Sequence, residues 1–154
     1  MFAGIPATRV GWFRDAFAYP VSRTADFVEV VRQAKQAGLK MLVAVTQSLD
    51  DYNNAVADNA GPAFHKLCGG PGGSLKFSQI DLKKFKDRLR GLLAALKAAR
   101  LAVDTFEIGN EVDWVCFNGD VPFGHDAGPN DVAIAVRGYA RFLEAAADMI
   151  RDRR

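Results

Sequence analysis

Where the apolar run Thr105 to Ile108 ends, the chain reads Gly109-Asn110-Glu111 and passes through Val112 and Asp113 to Trp114. A glutamate placed where a strand gives way to a loop joins a titratable carboxyl to ligand access, which is what a general acid or base requires. The Asn110 amide beside it offers a donor and an acceptor to a ligand hydroxyl. Trp114 presents a ring face on which apolar C–H groups could stack, while for Trp12 the same use competes with core packing. Arg9 stands on an earlier apolar run and either serves the site or pairs with a carboxylate such as Glu107, which shares the alternation parity of Glu111. A simple polar turn from strand to loop is the competing reading of Gly-Asn-Glu.

Other chemistries find less support. Cys68 and Cys116 lack the short paired spacing of a zinc site, and His65 and His125 are far apart in sequence and read as surface loop residues, so no metal centre is expected. Free thiols are the first expectation for the cysteines, with one disulfide as the alternative. The stretch Cys68-Gly69-Gly70-Pro71-Gly72-Gly73-Ser74 has no Gly-Lys-Ser/Thr ending and reads as a flexible loop rather than a phosphate cradle. Asp113 reads as a solvated loop aspartate. A net charge of +2, with both signs scattered, gives no footprint for nucleic acid. No apolar run is long enough for a membrane span, and no basic segment followed by an apolar one opens the chain, which leaves the compartment undetermined.

The elements that must position these residues follow from periodicity. The 154 residues are 49 % hydrophobic and 25 % charged, as for one globular domain spanning 1–154. The first strand is expected over Ala7 to Phe13. A helix opening near Thr24 buries Phe27, Val30, Val31 and Ala34, and Gly38 stops it. Lys40 to Thr46 is a nearly continuous apolar run, as in a parallel strand covered on both faces. A long connection from Gln47 to about Phe77, with one helical turn near Asp51 to Val56, suits a lid or binding loop. Ser78 and Asp81 suggest a short capping box before a stripe of Leu82, Phe85, Leu89, Leu92, Leu93 and Leu96. A third strand covers Ala102 to Gly109. The last helix, after Asn130, carries Val132, Val136, Tyr139, Phe142, Leu143, Ala146 and Ile150. This alternation is that of an α/β protein with a parallel sheet, either open and doubly wound or part of a barrel.

The segment TFEIGNEVDW resembles the clan A retaining glycoside hydrolases, whose fourth barrel strand ends in Asn-Glu. The resemblance implies that Glu111 is the general acid/base and that Asn110 binds the sugar's 2-hydroxyl. GIPATRVGW, Gly4 to Trp12, is similar to the clan's second strand and puts Arg9 at the arginine that supports the nucleophile. LKMLVAVT takes the place of the third strand, with Thr46 and Gln47 where several families carry a histidine. The implied fold is a partial (β/α)8 TIM barrel of about three βα units, with no cofactor and a β-linked oligosaccharide or polysaccharide as substrate.

That resemblance carries its own chemistry. A glycosidic oxygen leaves well only if protonated as its bond breaks, so the acid must hold its proton near neutral pH, with a second carboxylate about 5 to 5.5 Å away in a retaining enzyme. A whole barrel takes about 250 residues, and the clan's nucleophile ends strand seven, so this chain is expected to lack it and to be inactive alone. Uncovered inner side chains and unpaired edges should make it self-associate or bind a complementing half-barrel. A noncatalytic carbohydrate-binding or interaction fragment, or an unrelated open α/β domain, are the alternatives.

Overall fold

The computed structural model describes residues 11–18, 20–53, 61–68, 74–124 and 126–152. Three parallel strands, β1 (Trp12–Phe17), β2 (Lys40–Val45) and β3 (Thr105–Ile108), form one sheet in the order β1-β2-β3. Helices α1 (Thr24–Gln36), α2 (Pro62–Cys68), α3 (Leu82–Ala98) and α4 (Pro129–Arg151) complete the described residues. The chain is therefore an α/β protein, as its alternating periods indicate.

The register sets Arg14 against Leu42 and Leu42 against Thr105, and sets Ala16 against Ala44 and Ala44 against Glu107. Because side chains alternate along a strand, these residues share one face, while Phe13, Phe17, Met41, Val43, Val45, Phe106 and Ile108 share the other. Only this second set joins the main apolar core, and its helical partners come from α1, α3 and α4. Helices α1, α3 and α4 thus share one face of the sheet, and Trp12, Arg14, Lys40 and Thr105 are exposed on the opposite one.

Aromatic contacts close the core. Phe142 of α4 meets Phe85 of α3 at 4.4 Å between centroids and Phe77 at 5.0 Å, while Phe17 meets Phe27 of α1 edge-on at 5.1 Å. Gly138 lets α4 approach this closely, since a Cβ there would lie 2.7 Å from the Ser78 nitrogen. Above Phe17, Arg88 and Asp51 form a fully buried ion pair, and the Arg88 guanidinium also donates to the carbonyls of Phe17 and Thr46 at 3.4 and 2.8 Å. This one side chain ties α3 to the carboxyl ends of β1 and β2. Asp51 in turn accepts the Ser48 N–H, so neither charge is left uncompensated.

Several boundaries differ from those that periodicity suggests. β1 begins at Trp12 rather than Ala7, and the expected first residues, with Arg9, lie outside the described residues. On α1 it is Val28, not Val30, that is buried, and the Thr24 hydroxyl donates to the Val21 carbonyl instead of capping the helix. The connection after β2 holds a turn at Leu49–Asp51 and helix α2, which carries His65; residues 69–73 of the Gly-rich stretch and His125 fall outside the described residues. Asp81 is itself the cap of α3, accepting the Lys83 and Lys84 N–H groups, so the box opening at Ser78 is not formed. Ser78 instead donates from backbone and hydroxyl to Asp120.

β3 is shorter than expected because the Asp104 carboxylate accepts the Met41 N–H at 2.6 Å and pairs with Lys35, taking a donor that a longer strand would use. On α4, Phe142 and Ala146 are buried as expected, but Val132, Val136 and Leu143 are exposed. The free thiols expected of Cys68 and Cys116 are not present: the two form a disulfide, with their Cα atoms 5.4 Å apart. Their separation of 48 residues in sequence hides a proximity that only the folding of α2 against the loop after β3 creates.

Candidate functional site

In parallel sheets ligands gather at the carboxyl ends of the strands, where loops diverge. β3 ends there in Gly109-Asn110-Glu111. Gly109 adopts φ +84°, and a Cβ on it would lie 2.6 Å from Val112 and 3.0 Å from the Tyr139 ring. Its N–H still reaches the Val45 carbonyl at 2.8 Å, so the turn starts directly from the ladder. Glu111 also adopts a left-handed conformation, φ +43°, which for a residue with a Cβ costs on the order of 1 kcal/mol and tends to persist at functional turns. Its carbonyl accepts the Trp114 N–H at 2.9 Å, closing the turn.

Arg14 organises the strand side of this end. Its guanidinium donates through Nε to Glu107 Oε2 at 2.8 Å, and through Nη2 to Glu107 Oε1 at 2.9 Å and Asn110 Oδ1 at 2.6 Å. Glu107 is held below the usual carboxylate range, first by this hydrogen bond and against a smaller opposing effect of burial. Arg14 is raised by the same bond, and the charge of Glu111 acts on it as well. With its oxygen committed to Arg14, the Asn110 amide keeps its N–H donors for other acceptors.

Among the residues singled out by sequence, Asn110, Glu111 and Trp114 are brought to one turn. Arg9 lies outside the described residues, and the arginine that meets Asn110 and Glu107 is Arg14, which sequence reasoning missed. Arg14 and Asp15 interrupt the apolar run, and the place of Arg14 on β1, opposite Leu42, shows only in the register. Trp12 is neither core nor site. It opens β1, at the amino end of the sheet, 48 % exposed, with the Lys40 ammonium 5.3 Å from its ring.

Glu111 itself is exposed, and so is Asp113. Neither of two cavities near β3 is lined by Glu111. One, of about 720 Å³, lies along β3 between α3 and α4, lined by Leu93, Leu96, Phe106, Ile108, Ala147 and Ile150 among others. The second, of about 300 Å³, lies between the loop from Val112 to Pro122 and the exposed Val132 and Val136 of α4.

Gln47, at the place where the resemblance puts a histidine, is a structural clasp. Its amide donates to the carbonyls of Leu75 and Phe117 at 3.1 and 2.8 Å and accepts the Tyr52 hydroxyl at 2.6 Å. Burial, then the charge of Asp51, keeps the Tyr52 phenol from ionising. His65 Nε2 and the Ser74 hydroxyl are buried without a hydrogen-bond partner. Among the described residues no three His, Cys, Asp or Glu side chains gather as a metal would need, and no helix is long and apolar enough to cross a membrane. Compared with known proteins, the chain matches no family model, no curated protein and no solved structure.

Proposed function

We propose that this chain carries the acid/base side of a retaining glycoside hydrolase site of clan A type, as part of a (β/α)8 barrel, with Glu111 as general acid/base and Asn110 as the ligand of the sugar's 2-hydroxyl. The observation that carries this reading is the turn Gly109-Asn110-Glu111 at the carboxyl end of β3, with the Asn110 oxygen fixed by Arg14 so that its N–H donors are free for a hydroxyl. Helices on a single face of a parallel sheet favour a barrel wall over a doubly wound sheet, which would be covered on both sides. The cavity along β3 is where a further strand would lie beside α4. In such a barrel, further strands would cover Glu111 and the Arg14 face.

In the reaction, the Glu111 proton passes to the leaving oxygen as the bond to C1 breaks, and a second carboxylate from another strand forms the new bond to C1. Glu111, now a carboxylate, takes a proton from the water that releases the sugar. Asn110 strengthens its hydrogen bond to the 2-hydroxyl as positive charge develops on the ring. Alone, the chain is expected to show no turnover of aryl β-glycosides; turnover abolished by Glu111→Gln would contradict the assignment of the nucleophile to another strand.

An epoxyalkyl β-glycoside tests the acid/base role without turnover. The expected result is one covalent label on Glu111, located by mass spectrometry and suppressed by excess oligosaccharide. Equal labelling of Glu107, Asp113 and other carboxylates, or none at all, would sink the reading. The exposure of Glu111 favours a second reading, a noncatalytic carbohydrate-binding segment, which predicts oligosaccharide binding without that selective label.

A further inference from the structure

We propose that Trp114 and Phe117 form a preorganised stacking platform for a β-linked pyranose ring, braced from beneath by the Cys68–Cys116 disulfide. The inference rests on the carbohydrate reading of the neighbouring turn. The two rings lie 5.8 Å apart at 55°, and the residues are 42 % and 39 % exposed.

Their backbone, by contrast, is pinned throughout. The Trp114 N–H donates to the Glu111 carbonyl at 2.9 Å, and the Trp114 carbonyl accepts from Phe117 and Asn118 at 2.9 and 3.0 Å. The Phe117 carbonyl takes the Gln47 amide at 2.8 Å. Asn118, 1 % exposed, donates from its side chain to the Val112 carbonyl, and Val115 between the rings is buried. Cys116, which precedes Phe117 in the chain, is joined to α2 by the disulfide. Trp114 and Phe117 thus keep 42 % and 39 % of their surface exposed on a backbone held at many points. Aromatic faces fixed in this way lose little entropy when a ligand arrives.

The flanking groups select the class of ligand. Asn110, Glu111 and Asp113 precede Trp114 in the same segment, with Glu111 and Asp113 exposed, and Trp114 closes the same turn as Glu111. A pyranose with equatorial substituents presents axial C–H groups to an aromatic face and a rim of hydroxyls to such acceptors. β-Gluco- and β-xylo-configured oligosaccharides fit this combination. Since a stack is geometric, opening the disulfide should loosen the platform without removing either ring.

The experiment is a backbone-amide NMR titration of the oxidised chain with cellotetraose and with xylotetraose. Saturable shifts concentrated at 110–118 are expected with at least one probe. Trp114→Ala and Phe117→Ala should each weaken binding about two- to ten-fold, with Trp114→Phe restoring part of the loss. The paired Cys68→Ser and Cys116→Ser variant should weaken binding while its far-UV circular dichroism stays unchanged, and Trp12→Phe should bind normally. Shifts located elsewhere, binding unaltered in the doubly ring-truncated variant, or no shift with either probe at millimolar concentration would each overturn the proposal. Binding at the platform with no selective epoxide label on Glu111 would leave the platform standing and the acid/base role refuted, so the two failures are separable.

Discussion

Single residues at the carboxyl end of the sheet divide into those that hold the fold and those that shape the candidate site. Arg88 and Asp51 belong to the first kind, with side chains 1 % and 0 % exposed. Arg88→Met leaves a buried carboxylate unpaired, and a loss of about 3 to 5 kcal/mol is expected in chemical denaturation. Adding Asp51→Asn should recover part of it, a coupling that a double-mutant cycle reads directly. Arg14 belongs to the second kind. Its pair with Glu107 is about half exposed, so Arg14→Met should cost at most about 1 kcal/mol while releasing Asn110. The same residues set an acid limit. Glu107 and Asp104 titrate below their ordinary values of 4.5 and 3.8, held there first by Arg14 and Lys35 respectively. Carboxyls depressed on folding add stability that is complete above those ordinary values and disappears as pH falls through the lower folded ones. Denaturation midpoints should therefore hold steady from neutral pH down to about 5 and fall below 4, with a smaller fall in Asp104→Asn. Of these residues, Asn110 and Glu111 were legible from their place after an apolar strand. Arg14 was not, because Arg14 and Asp15 break the apolar run that marks a strand, and only pairing with β2 shows that they lie on one.

Among the elements, α4 best shows how packing overrides local preference. Ala for Gly138 would gain about 1 kcal/mol of helix propensity. The new Cβ would stand 2.7 Å from backbone nitrogen and 3.0 Å from the Cα of Ser78, neither of which can rotate away. Overpacking of this kind costs about 1 to 3 kcal/mol, so Gly138→Ala is expected to lower the melting temperature despite its helical site. The stripe of α3 and the run of β2 were readable because each has a single strong period. The amino-terminal half of α4 carries an apolar stripe too, yet its Val132 and Val136 line an open cavity, since nothing among the described residues covers them. Periodicity reports which face is apolar, not whether a neighbour arrives to bury it.

For the whole molecule, the disulfide and the one-sided sheet set the expected behaviour. A crosslink over 48 residues restricts the unfolded chain enough to stabilise the fold by about 2 to 4 kcal/mol on the chain-entropy account. Reduction should shift the urea midpoint accordingly, and an unchanged midpoint would show that the unfolded chain is restricted by other means. The open cavity along β3 and the exposed residues on the opposite sheet face predict concentration-dependent self-association in sedimentation velocity; a strictly monomeric chain at high concentration would count against this expectation. Sequence alone determined the alternation of three strands with three long helices, the parallel sheet and the place of Asn110 and Glu111, because these depend on hydrophobic period and on neighbours along the chain. Tertiary structure decided the Cys68–Cys116 bond, the choice of Arg14 and the gathering of all core helices on one face. Those are meetings between residues far apart in the chain, whose proximity depends on how crossovers fold back over the sheet, and no local period encodes that.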